Sequence, residues 1–316
     1  MPVRTTLRYL AILSLTTLLL VLAVSGLNWY GFVRGVADFP EARLLRTQLD
    51  RLDAAKEVDV LLLGDSSLGN AVDAAAWNRE SGRDVLALPL AGYIGYEGSL
   101  NMLRRTLRRH QPELVVIMQT IELAARSPAP HGTLLTAETW DDLEGVRPWD
   151  VVSYFASLEI TRGILANLLQ GDHGERADIL RRGFVAQKKE PDLDEVRAQQ
   201  VFLQPEDLDE AKLAVLDRLG ALCRERGIRC VYAHGPYLEP ACSAAGDYLA
   251  SLDRRIRNSG LEVLAPSPLC FALDQAGDAP DHVADPLRPL FSAAYRRLVL
   301  GPPRQRPTPD QPNFRS

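Results

Sequence analysis

What the sequence lacks excludes several classes of protein. It has no long basic run and its formal net charge is −5, so nucleic-acid binding has no electrostatic support. It contains no glycine-rich phosphate loop, and no cluster of His, Cys, Asp or Glu has metal-ligand spacing. The four cysteines include no C-x-x-C pair, which argues against thioredoxin-type chemistry. The sequence therefore predicts neither a metal nor another cofactor.

One long hydrophobic run stands near the N-terminus. Residues Tyr9 to Leu27 carry no charge, and Arg4 and Arg8 precede them. This length suffices for a membrane-spanning helix, and basic residues before it favour an exported domain. The alternative is a cleaved signal peptide, for which Ala23-Val24-Ser25 offers a small-residue cleavage site. We favour the uncleaved anchor because the run is long for a signal peptide.

Export allows the four cysteines to pair, because disulfides form in oxidising compartments. Four cysteines permit three pairings. We favour Cys223–Cys230, which would close a helix-to-strand loop, together with Cys242–Cys270, which would tie two loops on the same side of the sheet. Buried free thiols are the alternative.

After residue 58 the chain alternates short apolar runs with amphipathic segments, a pattern typical of an α/β fold with a parallel sheet. The predicted strands are Val58–Leu63, Val85–Leu88, Leu114–Met118, Arg229–Ala233 and Leu261–Leu264. The predicted helices are Asn101–His110, Asp207–Arg226, Ala244–Asn258 and Leu287–Leu300.

The same pattern divides the chain into regions. Residues 1–33 form a cytoplasmic stub and anchor, 34–57 a connecting helix, 58–300 the α/β domain and 301–316 a disordered tail. Within the domain, the pattern fades over about 127–204. We predict a helical insertion over the active edge there, with a plain connection of helices as the alternative.

A serine follows the first predicted strand directly, in Gly64-Asp65-Ser66. Ligands of parallel sheets bind beyond the carboxyl ends of the strands, so Ser66 is placed where such folds keep their chemistry. A serine hydroxyl needs a base to become a nucleophile. His282, just before the last predicted helix, can serve if a carboxylate fixes its tautomer. We favour Asp278, about one turn earlier, and leave Asp281 open.

These two blocks resemble those of the SGNH (GDSL-type) hydrolase superfamily. The resemblance implies a three-layer sandwich with a flavodoxin-like parallel sheet. It also implies that Ser66 is the nucleophile and that a late Asp-x-x-His supplies orienter and base. Here the spacing departs from the family, because Ala279 stands where that acid would be.

The family's oxyanion hole uses the nucleophile together with a glycine after the second strand and an asparagine after the third. Gly92 fits the glycine position beside Ser66, and Gly95 is the alternative. Gln119 or Thr120 would have to replace the asparagine, which is missing. An absent donor can cost a few kcal/mol of transition-state stabilisation.

Three further residues lie at predicted strand ends. Asp65 and Ser67 flank the nucleophile, and His234 follows the fourth strand. We expect all three to contact substrate. For His234, a structural role at the strand end, bonded to backbone, is the alternative.

The layout, with one N-terminal helix and an exported domain, resembles the SGNH-like proteins that act in acylation of envelope polymers. The resemblance implies acyl transfer or ester hydrolysis on an envelope glycan or lipid, beside a membrane-bound O-acyltransferase. The alternative is a non-catalytic domain that binds an envelope polymer or such a partner. The missing asparagine and the shifted acid favour that alternative.

Overall fold

The computed structural model describes residues 3–33, 40–128, 130–157, 160–165 and 203–301. Most of the predicted insertion, and the predicted tail beyond residue 301, therefore lie outside the described residues. So does the link between the N-terminal helix and the next helix.

A five-stranded parallel sheet forms the centre of the α/β domain. Strands in chain order are β1 Val60–Gly64, β2 Val85–Pro89, β3 Leu114–Gln119, β4 Arg229–His234, β5 Tyr237–Leu238, β6 Glu262–Val263 and β7 Cys270–Phe271. The large sheet has the order β2-β1-β3-β4-β6, and β5 pairs with β7 in a small separate sheet. Every residue of β1, β2 and β3 is buried, as their continuous apolar runs predict.

Helices connect the strands and cover the sheet. They are α1 Val3–Val33, α2 Pro40–Ala54, α3 Ser66–Ala71, α4 Ala74–Ser81, α5 Gly95–Leu107, α6 Pro130–Thr136, α7 Pro148–Phe155, α8 Glu210–Glu225, α9 Glu239–Ala244, α10 Gly246–Asn258 and α11 Arg288–Leu300. Helix α8 packs against α5, α10 and β4, while α11 packs against α3 and α4.

Helix α1 is long and apolar enough between Thr5 and Phe32 to cross a membrane. Most of its large apolar side chains are exposed. Only near its C-terminal end does one stripe, which includes Ser25 and Asn28, pack against α7. The described part of the predicted insertion thus contacts the N-terminal helix.

Both favoured disulfides are present. Cys223–Cys230 joins the end of α8 to β4, and Cys242–Cys270 joins α9 to β7. The second bond fixes the small β5–β7 sheet beside the carboxyl ends of the large sheet.

The structure differs from the sequence prediction in several elements, of which α5 and the small sheet bear most on the site. Helix α5 begins at Gly95, six residues before the predicted start at Asn101. The sequence pattern missed this first part because glycine disfavours helices. The fold nevertheless needs glycine there, since Gly95 has φ of +66° and a Cβ at Gly98 would lie 2.0 Å from Cγ2 of Ile94. The strands β5 and β7 were not predicted, because two residues carry no periodic pattern.

Candidate active site

The carboxyl end of β1 is fixed by Asp65. Its side chain caps α3 by accepting hydrogen bonds from the Ser67 amide at 2.9 Å and the Ser67 hydroxyl at 2.5 Å. Its second oxygen accepts from the Thr120 amide at 2.8 Å, which ties the end of β1 to the end of β3. Burial raises the pKa of Asp65, and these hydrogen bonds oppose that rise. Ser66, the half-buried first residue of α3, is thereby held on a fixed backbone.

A tight loop before α11 holds His282. Asp278 Oδ1 lies 2.6 Å from His282 Nδ1. The loop is closed by hydrogen bonds from the His282 amide to Ala279 O and from the Gly277 amide to His282 O. Proline at position 280 fits the second position of this turn. The turn curls Asp278 back onto the ring, which is the arrangement that the sequence favoured.

The other ring nitrogen of His282 faces a cluster of charges. Nε2 is buried without a hydrogen-bond partner among the described residues, and Asp281 Oδ1 lies 3.7 Å from it. Burial alone would lower the pKa of His282, but Asp281, Asp278 and Asp65 together raise it. Asp65, one of the carboxylates that raise this pKa, directly precedes Ser66.

Asp281 is in an unfavourable place for a carboxylate. Burial raises its pKa to about 6, and the like charges of Asp65 and Glu122 add to the rise, although His282 opposes it. Asp278, in contrast, has a lowered pKa because it is hydrogen-bonded to His282. The pKa values of these two acids are therefore shifted in opposite directions, although both lie beside the same histidine.

The expected oxyanion donors are only partly at this edge. Gly92 begins a short 3-10 turn after β2, and a Cβ there would lie 3.5 Å from an Arg126 guanidinium nitrogen. Gln119 is turned away, because its Nε2 donates to Ser99 Oγ of α5 at 2.8 Å. Thr120 uses its backbone amide on Asp65, and its hydroxyl is buried.

The structure places Asp65, Ser67 and His234, for which the sequence predicted substrate contacts, in the interior, where each contacts another protein group. All three are at most 2% exposed. A Cβ at Gly235 would lie 2.1 Å from Ser67 Oγ, which shows how closely β4 approaches α3. His234 Nε2 lies 2.7 Å from Asp253 Oδ1 of α10.

Three residues at the edge were missed by sequence reasoning: Glu122, Arg126 and Tyr237. Arg126 pairs with Glu122 at 2.8 Å, and the Tyr237 hydroxyl donates to Glu122. The pKa of Arg126 is raised by Glu122, Asp281 and Asp65 against the effect of burial. The four-residue spacing of Glu122 and Arg126 directly after a strand was the available signal.

Three different structural elements carry the chemical groups that nucleophilic catalysis uses. A hydroxyl stands at the end of β1, and a carboxylate-oriented imidazole stands in the loop before α11. A guanidinium lies over the first glycine after β2. These are the group types that acyl transfer requires for attack, proton transfer and charge stabilisation.

A scan against protein-family models finds no match to this chain, and a search of curated proteins finds none either.

Proposed function

We propose that this chain is a membrane-anchored, exported serine hydrolase or acyltransferase of the SGNH type. The strand order β2-β1-β3-β4-β6 supports a flavodoxin-like sheet, because the large-sheet strands follow the order 2-1-3-4-5 along the chain. Helix α1 supports the anchor. The disulfides support export, because such bonds persist in oxidising compartments.

The observation that carries the proposal is the Asp278–His282 pair. The carboxylate holds Nδ1 at 2.6 Å, which leaves Nε2 as the nitrogen able to accept a proton. Support also comes from Asp65, the residue before Ser66, because its charge is among those that raise the pKa of His282. His234 also has a carboxylate on one nitrogen and a second nitrogen without a partner among the described residues, but its pair is buried in the core, whereas the His282 pair is partly exposed in a loop.

In the proposed reaction, the Ser66 hydroxyl oxygen attacks the ester carbonyl carbon while His282 Nε2 takes the hydroxyl proton. Collapse of the tetrahedral intermediate breaks the bond to the alcohol, which leaves with that proton. The acyl group is then on Ser66. Water or a second hydroxyl, deprotonated by His282, attacks it in turn and regenerates the serine.

The negative charge of the intermediate needs donors in place of the family's asparagine. We assign this role to the backbone amides of Ser66 and Gly92, together with the Arg126 guanidinium that lies over Gly92. A charged donor strengthens a hydrogen bond to an oxyanion, so one guanidinium can compensate for a missing neutral amide.

The substrate class follows from the anchor and the resemblance. We propose an ester of an envelope glycan or lipid, with a membrane-bound O-acyltransferase as the partner that supplies or receives the acyl group. A reporter fused after residue 316 should be active only outside the cytoplasm if the anchor has the proposed orientation.

A serine-reactive fluorophosphonate tests the chemistry directly. The full chain should be labelled, and Ser66→Ala should lose labelling, whereas Ser67→Ala should keep it because Ser67 is buried against Asp65. Retention of labelling in folded Ser66→Ala would exclude Ser66 as the nucleophile.

A second function has one observation in its favour. Gln119 is engaged with Ser99, so the position of the family's asparagine offers no side-chain donor to a substrate. A non-catalytic domain that binds an envelope polymer or a membrane partner would need no such donor. Absence of fluorophosphonate labelling together with polymer binding would support this alternative.

A further inference from the structure

We propose that α7 seats the domain on the membrane, with Trp149 inserted in the interfacial region of the bilayer beside α1. The consequence is that the catalytic edge lies close to the membrane surface and acts on membrane-attached esters. The inference rests on the proposed function in that it requires α1 to span a bilayer.

The first step is a specific contact between α1 and α7. The covered stripe of α1 contains two polar residues, and both bind α7 backbone. Ser25 Oγ donates to Val152 O at 3.1 Å, and Asn28 Nδ2 donates to Phe155 O at 2.7 Å. Asn28 is fully buried, and it also contacts the Thr161 hydroxyl at 2.9 Å. A buried amide with such partners fixes one docking geometry, because another would leave it unsatisfied.

The second step is the direction of α7. Its contacts advance by three residues on both helices, from Ser25–Val152 to Asn28–Phe155. The two helices therefore run the same way. At a rise of about 1.5 Å per residue, Trp149 lies at the level of Leu22, about 4.5 Å from Ser25 toward the start of α1.

The third step is the depth of that level. A hydrocarbon core of about 30 Å takes about 20 helical residues, so a span that begins between Thr5 and Tyr9 ends between Val24 and Asn28. The level of Leu22 is then inside the end of the span. Trp149 is 66% exposed there, and tryptophan favours this region of a bilayer. The neighbouring Arg147 is 78% exposed and pairs with Asp150 of α7 at 2.8 Å.

The fourth step connects this contact to the active edge. Tyr154 of α7 stacks on His131 of α6 with ring centroids 5.8 Å apart. His131 Nε2 lies 3.1 Å from Tyr93 O, and Tyr93 belongs to the 3-10 turn that Gly92 begins. A continuous series of contacts thus runs from the proposed membrane contact to the proposed oxyanion site.

Trp140 provides a matched control. It is 88% exposed, more than Trp149, and belongs to a short 3-10 turn. Arg104, in the C-terminal part of α5, lies 3.5 Å from the backbone oxygen of the adjacent Asp141. Because α5 begins at the catalytic edge, Trp140 lies toward the opposite edge of the domain.

The experiment measures tryptophan fluorescence of the full chain in phosphatidylcholine vesicles whose acyl chains are brominated near the headgroup. All variants keep the buried Trp77, whose emission is measured alone and subtracted. One variant retains Trp149 and one retains Trp140, with the other exposed tryptophans changed to phenylalanine. A third carries Tyr9→Trp to report insertion of α1.

We expect bromolipid to reduce Trp149 emission by about half and to leave Trp140 unchanged, since bromine quenches only at short range and interfacial side chains lie within about 5–10 Å of the acyl boundary. Quenching of Tyr9→Trp without quenching of Trp149 would overturn the inference and leave the anchor intact. If Tyr9→Trp is itself unquenched, the anchor fails and the inference with it. Protection of Trp149 from both bromolipid and aqueous iodide would indicate a protein cover and would also overturn it.

Discussion

The molecule contains two histidine–aspartate pairs of nearly the same length in different surroundings. His282 Nδ1 lies 2.6 Å from Asp278, and His234 Nε2 lies 2.7 Å from Asp253. The side chains of the first pair are 11% and 44% exposed, whereas those of the second are 0% and 9% exposed. The first pair closes a four-residue turn within one loop, and the second joins β4 to α10.

The difference shows that pair geometry alone does not indicate catalysis. The His234 ring packs edge-on against Tyr232 with centroids 5.3 Å apart, and its backbone oxygen accepts from the Tyr295 hydroxyl. His282 instead has Asp281 Oδ1 at 3.7 Å from Nε2, and the charge of Asp65 is among those that raise its pKa. We therefore assign chemistry to the loop pair and stability to the core pair.

The largest expected effect comes from replacing the histidine of each pair in turn and comparing the two activities. His282→Gln should lower ester hydrolysis on the order of 10⁴-fold, because it removes the imidazole that is proposed to accept the Ser66 proton. The thermal midpoint should change little. The measurement is hydrolysis of an activated acetyl ester, with fluorophosphonate labelling of the same samples.

His234→Gln is the matched control. Its folded fraction should keep its hydrolysis rate, since the ring is buried in the core. Equal loss of activity in both folded variants would mean that the core pair also serves the reaction, and the assignment would fail.

The second prediction compares the two acids beside His282. Asp278→Asn should lower activity on the order of 10³-fold, because an amide cannot hold the catalytic tautomer. Asp281→Asn should lower it by less than about tenfold, because Asp281 lies 3.7 Å from Nε2 and does not orient the ring. Rate constants at saturating ester decide the order. A larger loss for Asp281→Asn would show that Asp281, and not Asp278, orients the ring.

The sequence favoured Asp278 because Pro280 favours a turn that brings this acid back toward His282, and the structure has that turn. It made His282 the base, but for His234 it left substrate contact and a structural role at the strand end open. The partner that distinguishes them, Asp253, is 19 residues from His234 on another element. Such a contact depends on packing and leaves no local pattern.

The fold was predictable to a greater extent. The five strands of the large sheet follow from buried apolar runs, and both favoured disulfides are present. The contact between α1 and α7 could not be predicted. It depends on Asn28, which in the sequence resembles an interfacial residue after an apolar run.

The third prediction concerns stability. Asp253→Asn should lower the free energy of unfolding by about 3 kcal/mol, because it weakens a buried hydrogen bond between the Asp253 carboxyl group and His234. Asp278→Asn, whose carboxylate is 44% exposed, should lower it by less than about 1 kcal/mol. Urea unfolding at constant pH measures both changes. A greater loss of unfolding free energy for Asp278→Asn would mean that the Asp278–His282 pair, and not the Asp253–His234 pair, is the structural one.

The smallest effect is a change in pH dependence. The base must be neutral, so activity rises with pH through the pKa of His282, which lies above its ordinary value of 6.5. The Asp281 carboxylate favours the imidazolium and so raises that pKa. Asp281→Asn removes the charge, so the acid limb of the pH–rate profile for kcat/KM should move to lower pH. Asp274→Asn, an exposed acid in the preceding 3-10 turn, should leave the limb in place. An acid limb that Asp281→Asn does not move would show that the titrating base is a group other than His282.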